Sequence, residues 1–133
     1  MSNNIITVET TGGPSATVDW IEGMSGQAAL EAAWSSINNT EKFTFGLQYY
    51  GSQLGYMVFM INETFDSFVS SSQPFYYWHL FVNDTPATMG IDGIRLNPGN
   101  HMRFSFDRYI PTQHAGTIME AKFKFQTSKM SNK

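Results

Sequence analysis

The chain has 133 residues, of which 41% are hydrophobic and 15% aromatic, so it can bury one globular core and is not a disordered chain. Its formal net charge is −3 with eight basic residues, and no basic run precedes the tail, which argues against nucleic acid as a partner. It contains no cysteine, which excludes disulfides and thiolate metal sites within these residues.

The N-terminal residues, MSNNIITVET, have neither the basic nor the apolar region of a signal peptide. No apolar run reaches the ~20 residues that a membrane-spanning helix needs. We therefore predict a cytoplasmic protein with no membrane partner, or an extracellular one if the chain is a trimmed mature form. Only in the second case would the Asn-x-Thr sequons at 38–40, 62–64 and 83–85 matter, and chance explains them in a chain rich in Asn and Thr.

A hairpin followed by one helix is predicted for the first third of the chain. Residues 5–10 are β-branched, Gly12 to Pro14 form a turn, and residues 16–21 alternate apolar and polar side chains. Ser25 is a suitable N-cap for a helix that runs to Ile37 and ends at Asn38-Asn39. The helix has one apolar stripe at helical spacing, formed by Leu30, Ala33, Trp34 and Ile37.

The middle of the chain predicts two strands and a polar connection. Residues 43–50 alternate in polarity, and residues 56–61 are apolar on both faces, so the second strand is expected to be covered on both sides. Residues 62–73 are polar apart from a few anchors and are predicted to form a loop with one helical turn.

The segment from Phe75 to Tyr109 predicts a second pair of strands. Phe75 to Val82 is apolar except for His79, which is typical of a strand covered on both faces. A loop with two glycines follows, and then the turn Asn97 to Asn100. Residues 102–107 alternate strictly and predict a strand with one wet face.

Several short motifs resemble the C-terminal β-domain of the cobalamin carriers transcobalamin and intrinsic factor. They are, in this sequence, Leu54-Gly55-Tyr56, Met60-Ile61-Asn62, Tyr76-Tyr77-Trp78, Thr85-Pro86, Met89-Gly90-Ile91 and the closing Tyr109. The resemblance covers Ile5 to Tyr109 and implies an α+β fold of β-grasp type, in which mostly antiparallel sheet wraps one helix. We therefore predict a single domain over residues 1–133 with its core at 5–109. An extra, edge-type C-terminal strand is expected in the extension 110–127, followed by a frayed tail at 128–133.

One face of this sheet is predicted to hold a ligand. A single helix covers one face only, so the second face carries either Tyr77, His79 and Phe81 or Tyr76, Trp78 and Leu80, which periodicity cannot decide. That face is either open to a large apolar or planar molecule or covered by a second sheet from the C-terminal extension. The expected ligand-binding residues are Tyr49, Leu54, Tyr56, Trp78, His79, Met89 and Ile91.

The resemblance implies a corrinoid as the ligand, although no cofactor follows from the residues themselves. The family's carriers enclose cobalamin between this domain and a helical barrel that this chain lacks. A second copy or a partner protein would then have to complete the site.

Two other classes of function stay open on the sequence alone. One is a small cofactor-free enzyme, an isomerase or cyclase, that uses the same pocket with His79 or Asp92 as proton donor or acceptor. The other is an interaction module whose aromatic face forms a homodimer. The spacing of His79, His101 and His114 is not that of a zinc motif, so no metal site is predicted.

Overall fold

The computed structural model describes residues 4–52, 54–66 and 76–108. These ranges contain eight strands and one helix. In chain order they are β1 Ile5–Thr10, β2 Ser15–Asp19, α1 Gly26–Ile37, β3 Phe45–Tyr49, β4 Tyr56–Ile61, β5 Thr64–Phe65, β6 Tyr76–Val82, β7 Thr85–Pro86 and β8 His101–Arg108. The predicted extension and tail, His114, Phe75 and Tyr109 lie outside the described residues.

The strands form two sheets. The larger has the order β2-β1-β8-β6-β7, and the smaller has the order β3-β4-β5. Within these two sheets, β1 and β8 form the one parallel pair, and the other pairs are antiparallel. The α+β class with mostly antiparallel sheets and one helix is therefore confirmed, while the finer β-grasp assignment stays a prediction.

The helix begins and ends where its caps predict. The Ser25 side chain accepts a hydrogen bond from the Ala28 N–H, and Asn38 ends the helix in the left-handed conformation with φ 49°. Leu30 and Ala33 are buried. The predicted stripe is wrong at Trp34, whose side chain is 44% exposed because the buried face of the helix is centred on Ala29, Leu30 and Ala33.

The core lies between the helix and one face of the larger sheet. Alternate residues of three adjacent strands fill it: Ile6 and Val8 from β1, Met102 and Phe104 from β8, and Trp78 and Leu80 from β6. Successive residues of a strand point to opposite faces. Tyr77, His79 and Phe81 therefore lie on the face away from this core, which decides the alternative that periodicity left open.

Two strand boundaries differ from the prediction. β2 ends at Asp19 rather than at residue 21, because the Met24 N–H bonds to the Ile21 carbonyl and turns the chain toward the helix. β3 begins at Phe45 rather than at residue 43, because the Phe43 N–H bonds back to the Asn39 carbonyl in a turn. Phe43 is nevertheless buried, so its apolar side chain belongs to the core although the residue is not part of the strand.

Two short hairpins are additions to the predicted elements. The β4–β5 and β6–β7 hairpins turn through Asn62-Glu63 and Asn83-Asp84, whose four φ angles are between 51° and 67°. Positive φ at both central residues is the type I′ turn that suits a two-residue hairpin. The loop predicted for residues 62–73 therefore contains a short strand at its start, and the expected helical turn falls partly on residues outside the described ranges.

Candidate functional site

Residues 87–96, here called the crossing loop, lead from β7 to the turn before β8 and contact the helix N-terminus on the way. The N–H groups of Gly26 and Gln27 donate to the carbonyls of Ile94 and Ile91, each at 3.0 Å. These N–H groups lie in the first turn of the helix, where no intrahelical acceptor exists for them. The loop thus caps the helix and is fixed by it.

The crossing loop also packs tightly on the β3–β4 turn. The Ile91 N–H donates to the Tyr56 carbonyl at 2.8 Å, and the Tyr56 N–H donates to Asp92 Oδ1 at 2.9 Å. A side chain at Gly90 would clash with the carbonyl oxygen of Leu54, so only glycine allows this approach. The two segments form one rigid junction.

This junction presents two tyrosine rings to solvent. Tyr49 and Tyr56 face each other across the β3–β4 pair, and their ring centroids are 5.0 Å apart at an interplanar angle of 51°. Tyr49 and Tyr56 are 50% and 39% exposed, whereas Ile91, whose N–H bonds to the Tyr56 carbonyl, is 2% exposed. The structure therefore brings together four of the predicted residues, Tyr49, Leu54, Tyr56 and Ile91, of which Ile91 is buried and not at the surface.

Met89 lies on the same loop but lines a separate groove. Its side chain is 45% exposed. The open groove has a volume of about 470 Å³ and runs between the β6–β7 hairpin and the crossing loop. Its lining residues are Val82, Thr85, Pro86, Ala87, Thr88, Met89, Gly93, Ile94 and Arg95. Sequence reasoning missed this groove, although the hairpin signal Asn83-Asp84 followed by Thr85-Pro86 marks its edge.

Trp78 lies in the core and not on an exposed wall. Its indole Nε1 donates to the Thr64 carbonyl at 2.8 Å, and its backbone N–H donates to Asp66 Oδ1 at 2.8 Å. The ring is 5.0 Å from that of Phe106, and the residue is 8% exposed. In the described chain, Trp78 therefore joins the two sheets.

His79 lies on the opposite face of β6 and takes part in a polar network. Its Nδ1 is 3.1 Å from Asp107 Oδ2 and 3.3 Å from the Tyr77 hydroxyl. Ser105 Oγ donates to Asp107 Oδ1 at 2.6 Å. Since Trp78 and His79 are successive residues of one strand, they cannot line the same sheet face.

The remaining candidates for chemistry are separate from one another. Asp92 uses one carboxylate oxygen to hold the Tyr56 N–H. His101 Nε2 lies 2.7 Å from Glu9 Oε1, and both of these side chains are partly exposed. The described residues contain no group of three side chains able to hold a metal ion. No helix in the same ranges is long and apolar enough to cross a bilayer.

Comparison with known proteins places the chain in a structural context. The model of a family described as "Domain of unknown function (DUF4430)" matches residues 26–108. A sequence search of curated proteins gave no significant match. Among solved structures, the chain is similar to haptocorrin in complex with Cbi, with a TM-score of 0.64 and 15% identity. That match covers 80% of this chain and 25% of the haptocorrin chain, so the chain spans about a quarter of haptocorrin's length.

A second solved structure comes from Ruminococcus gnavus ATCC 29149 and is named for a proposed metal-binding function. It has 10% identity and a TM-score of 0.46, and the match covers 80% of this chain and 96% of that chain. The haptocorrin match shows a shared fold. It agrees with the predicted transcobalamin-like fold without assigning the chain to that family.

Proposed function

The chain belongs to the DUF4430 family, and we propose that it is a small ligand-binding domain that holds an apolar or planar molecule on the rings of Tyr49 and Tyr56. The observation that carries this proposal is the pair of exposed rings at a junction that a backbone hydrogen bond and the Asp92 carboxylate hold in place. Isolated exposed aromatics are common on protein surfaces. A pair in contact, in which the crossing loop bonds both the N–H and the carbonyl of Tyr56, is a preformed stacking surface.

The rigidity of the junction favours binding for an energetic reason. A ligand that stacks on ordered rings does not have to order them first, and this ordering costs about 0.5–1.5 kcal/mol for each side chain. Each aromatic contact then contributes about 0.5–1.5 kcal/mol beyond the area that it buries. Tyr49 and Tyr56 also keep their hydroxyl groups available for polar atoms at the edge of a ligand.

A corrinoid is the specific candidate. Support comes from the fold that the chain shares with haptocorrin, whose structure contains Cbi, and from the flat conjugated macrocycle of a corrinoid, which an aromatic pair can contact. The chain spans about a quarter of the haptocorrin chain, so we propose that a second copy or a partner protein covers the other side of the ligand. Alone, the domain is expected to bind weakly, because an open surface leaves most of the ligand in water.

Calorimetric titration with cobinamide (Cbi) tests the proposal. We expect Tyr49→Ala and Tyr56→Ala each to weaken binding about fivefold, consistent with the loss of one aromatic contact. Tyr76→Ala is the matched control, since Tyr76 is 37% exposed and stacks on Phe106 away from the junction. Equal weakening by all three variants, or no binding of cobinamide and of a panel of flat apolar molecules, would overturn the proposal. Native mass spectrometry of protein from its own host would report the bound ligand and the number of copies together.

A second candidate function is proton-transfer catalysis without a cofactor. The observation in its favour is the His79 imidazole, which a carboxylate orients at 3.1 Å within a strand network. A positioned imidazole is the commonest general acid or base. Turnover of an apolar substrate that is lost in His79→Gln and in Asp107→Asn, with unfolding midpoints near that of the wild type, would establish it. Asp92 is the weaker candidate for proton transfer, because its carboxylate already accepts the Tyr56 N–H at the junction.

A further inference from the structure

The groove beside Met89, here called the hairpin groove, has apolar walls and one charged residue. Val82 and Pro86 come from the hairpin, and Ala87, Met89 and Ile94 come from the crossing loop. No acidic side chain is among the described residues that line it. In this part of the chain, the guanidinium of Arg95 is the one charged group in the lining.

Most of the N–H donors of the Arg95 guanidinium have no acceptor among the described residues. Within the described chain, its side chain donates one hydrogen bond, to the Asp92 backbone carbonyl, at a long 3.4 Å from a terminal nitrogen. No described carboxylate lies within ion-pair distance of it. A guanidinium carries five N–H donors in a fixed fork, so most of its hydrogen-bonding capacity faces solvent at the groove.

Arg103 differs from Arg95 because its guanidinium makes several contacts within the described chain. Its guanidinium carbon lies 4.4 Å from the centroid of the Phe81 ring, and a terminal nitrogen lies 3.7 Å from Asp84 Oδ1. A hydrogen bond to Thr11 Oγ1 adds a third contact. Arg103 therefore packs on its own sheet, whereas Arg95 has no comparable task in the described residues.

We propose that the hairpin groove binds a small amphipathic organic anion, with the apolar body along Met89 and Ile94 and the acidic group on Arg95. A guanidinium fork matches two oxygens of a carboxylate or sulfonate, and such charge-assisted pairs are about twice as strong as neutral ones. A volume of about 470 Å³ is in the usual range for small-molecule sites. The chain has a net charge of −3, so an anion is not attracted by the molecule as a whole. The selectivity must come from Arg95. This site is separate from the tyrosine pair, and either proposal can fail alone.

Two fluorescent dyes with related aromatic rings test whether the groove prefers an anionic ligand to a neutral one. 1-Anilinonaphthalene-8-sulfonate is an anion, and N-phenyl-1-naphthylamine is neutral. We expect the wild type to bind the anionic dye at least about fivefold more tightly than the neutral one. Arg95→Gln is expected to remove this preference by weakening the anionic dye about five- to tenfold while the neutral dye is unchanged, because only the anionic dye uses the guanidinium.

Three further variants locate the site. Met89→Ser shortens the apolar wall at an exposed position and should weaken both dyes about threefold. Arg108→Gln removes one positive charge from an exposed residue at the Tyr76 end of β8, outside the groove lining, and should leave both affinities unchanged. In the double variant Tyr49→Ala/Tyr56→Ala, which removes the separate tyrosine surface, the preference for the anionic dye over the neutral one should remain. The proposal is overturned if Arg95→Gln keeps the preference for the anionic dye, if Arg108→Gln removes it equally, or if the preference is lost in the double tyrosine variant.

Discussion

The β4–β5 and β6–β7 hairpins turn through the same pattern, an apolar pair followed by Asn, an acidic residue and Thr. In both, the asparagine backbone N–H donates to the carbonyl of a residue beside the turn, and the asparagine Oδ1 accepts the N–H of that same residue. Asn62 makes this reciprocal pair with Thr44, at 2.9 and 2.8 Å, and Asn83 makes it with His101, at 2.8 and 2.8 Å. The Asn-x-Thr sequences at these turns thus have a structural use that is independent of glycosylation.

The two hairpins differ in the role of the residues after the turn. After the first, the Thr64 carbonyl and the Asp66 carboxylate both accept hydrogen bonds from Trp78, so the hairpin ties the smaller sheet to the larger one. After the second, Thr85 and Pro86 lead into the crossing loop and form one wall of the hairpin groove. The same local motif serves the stability of the fold in one place and the shape of a binding surface in the other.

Asp66→Ala should cause the largest loss of stability, because it removes the hydrogen bond from the Trp78 N–H that ties the first hairpin to the larger sheet. Asp66 is 6% exposed, and its removal leaves the Trp78 N–H without this acceptor in the core. We expect the free energy of unfolding to fall by about 3 kcal/mol in urea denaturation. Asp66→Asn keeps an oxygen at this position and should lose about 1 kcal/mol. A smaller loss in Asp66→Ala than in Asn62→Gly would contradict the role given to this hydrogen bond.

Glycine substitutions at Asn62 and Asn83 should lower the free energy of unfolding by different amounts in the two hairpins. Glycine accepts positive φ, so only the side-chain hydrogen bonds are removed. Asn62 makes two, since its Nδ2 also donates to the Lys42 carbonyl at 3.0 Å, while the Asn83 side chain accepts one, from the His101 N–H. We expect Asn62→Gly to lower the free energy of unfolding by about 2 kcal/mol and Asn83→Gly by about 1 kcal/mol. Equal losses in thermal or urea unfolding would show that the Lys42 bond contributes nothing.

Aspartate substitutions sharpen the same comparison. Aspartate keeps the oxygen acceptor and tolerates the left-handed conformation, but it cannot donate as the amide does. Asn62→Asp should therefore lose about 1 kcal/mol of unfolding free energy, because a carboxylate oxygen would face the Lys42 carbonyl. Asn83→Asp should stay within about 0.5 kcal/mol of the wild type. Each variant adds one charge beside an acidic neighbour, Glu63 or Asp84, so the two are matched in net charge. A larger loss at Asn83 would be contrary to the expectation.

The smallest effect is expected on ligand affinity, and it should appear at the second hairpin only. Asn83→Gly loosens the turn that precedes Thr85 and Pro86, so the wall of the hairpin groove becomes less ordered before binding. We expect it to weaken the anionic dye about twofold, whereas Asn62→Gly should leave the dye affinity unchanged despite its greater loss of stability. A weaker dye affinity in Asn62→Gly than in Asn83→Gly would show that stability, and not the groove wall, governs binding.

Much of the secondary structure could be predicted from local sequence. The caps Ser25 and Asn38 place the helix correctly, and the alternation of residues 102–107 predicts β8, because these signals depend on contacts within a few residues. The short β5 and β7 could not be predicted in this way. Each has two residues, too few for periodicity, and each exists because an adjacent strand of a folded sheet is there to pair with it.

The candidate site was predictable only in part. The motifs Leu54-Gly55-Tyr56 and Met89-Gly90-Ile91 do meet, and Gly90 is the residue that allows it. The sequence analysis predicts that Trp78 and His79 line the same ligand site, whereas the structure places them on opposite faces of β6. An apolar strand with both faces covered carries no periodic signal that tells one face from the other.

Local chemistry in the chain determined the helix with its two caps, the order of the long strands and the positive-φ turns at asparagine, since each rests on steric and hydrogen-bonding preferences of a few consecutive residues. Tertiary structure alone decided which face of β6 meets the core, which loops share a junction and which arginine is left facing a groove. Those outcomes depend on pairings between residues far apart in sequence, such as Trp78 with Thr64 and Asp66 or Tyr56 with Asp92, and chain closure brings such groups together only in the folded molecule.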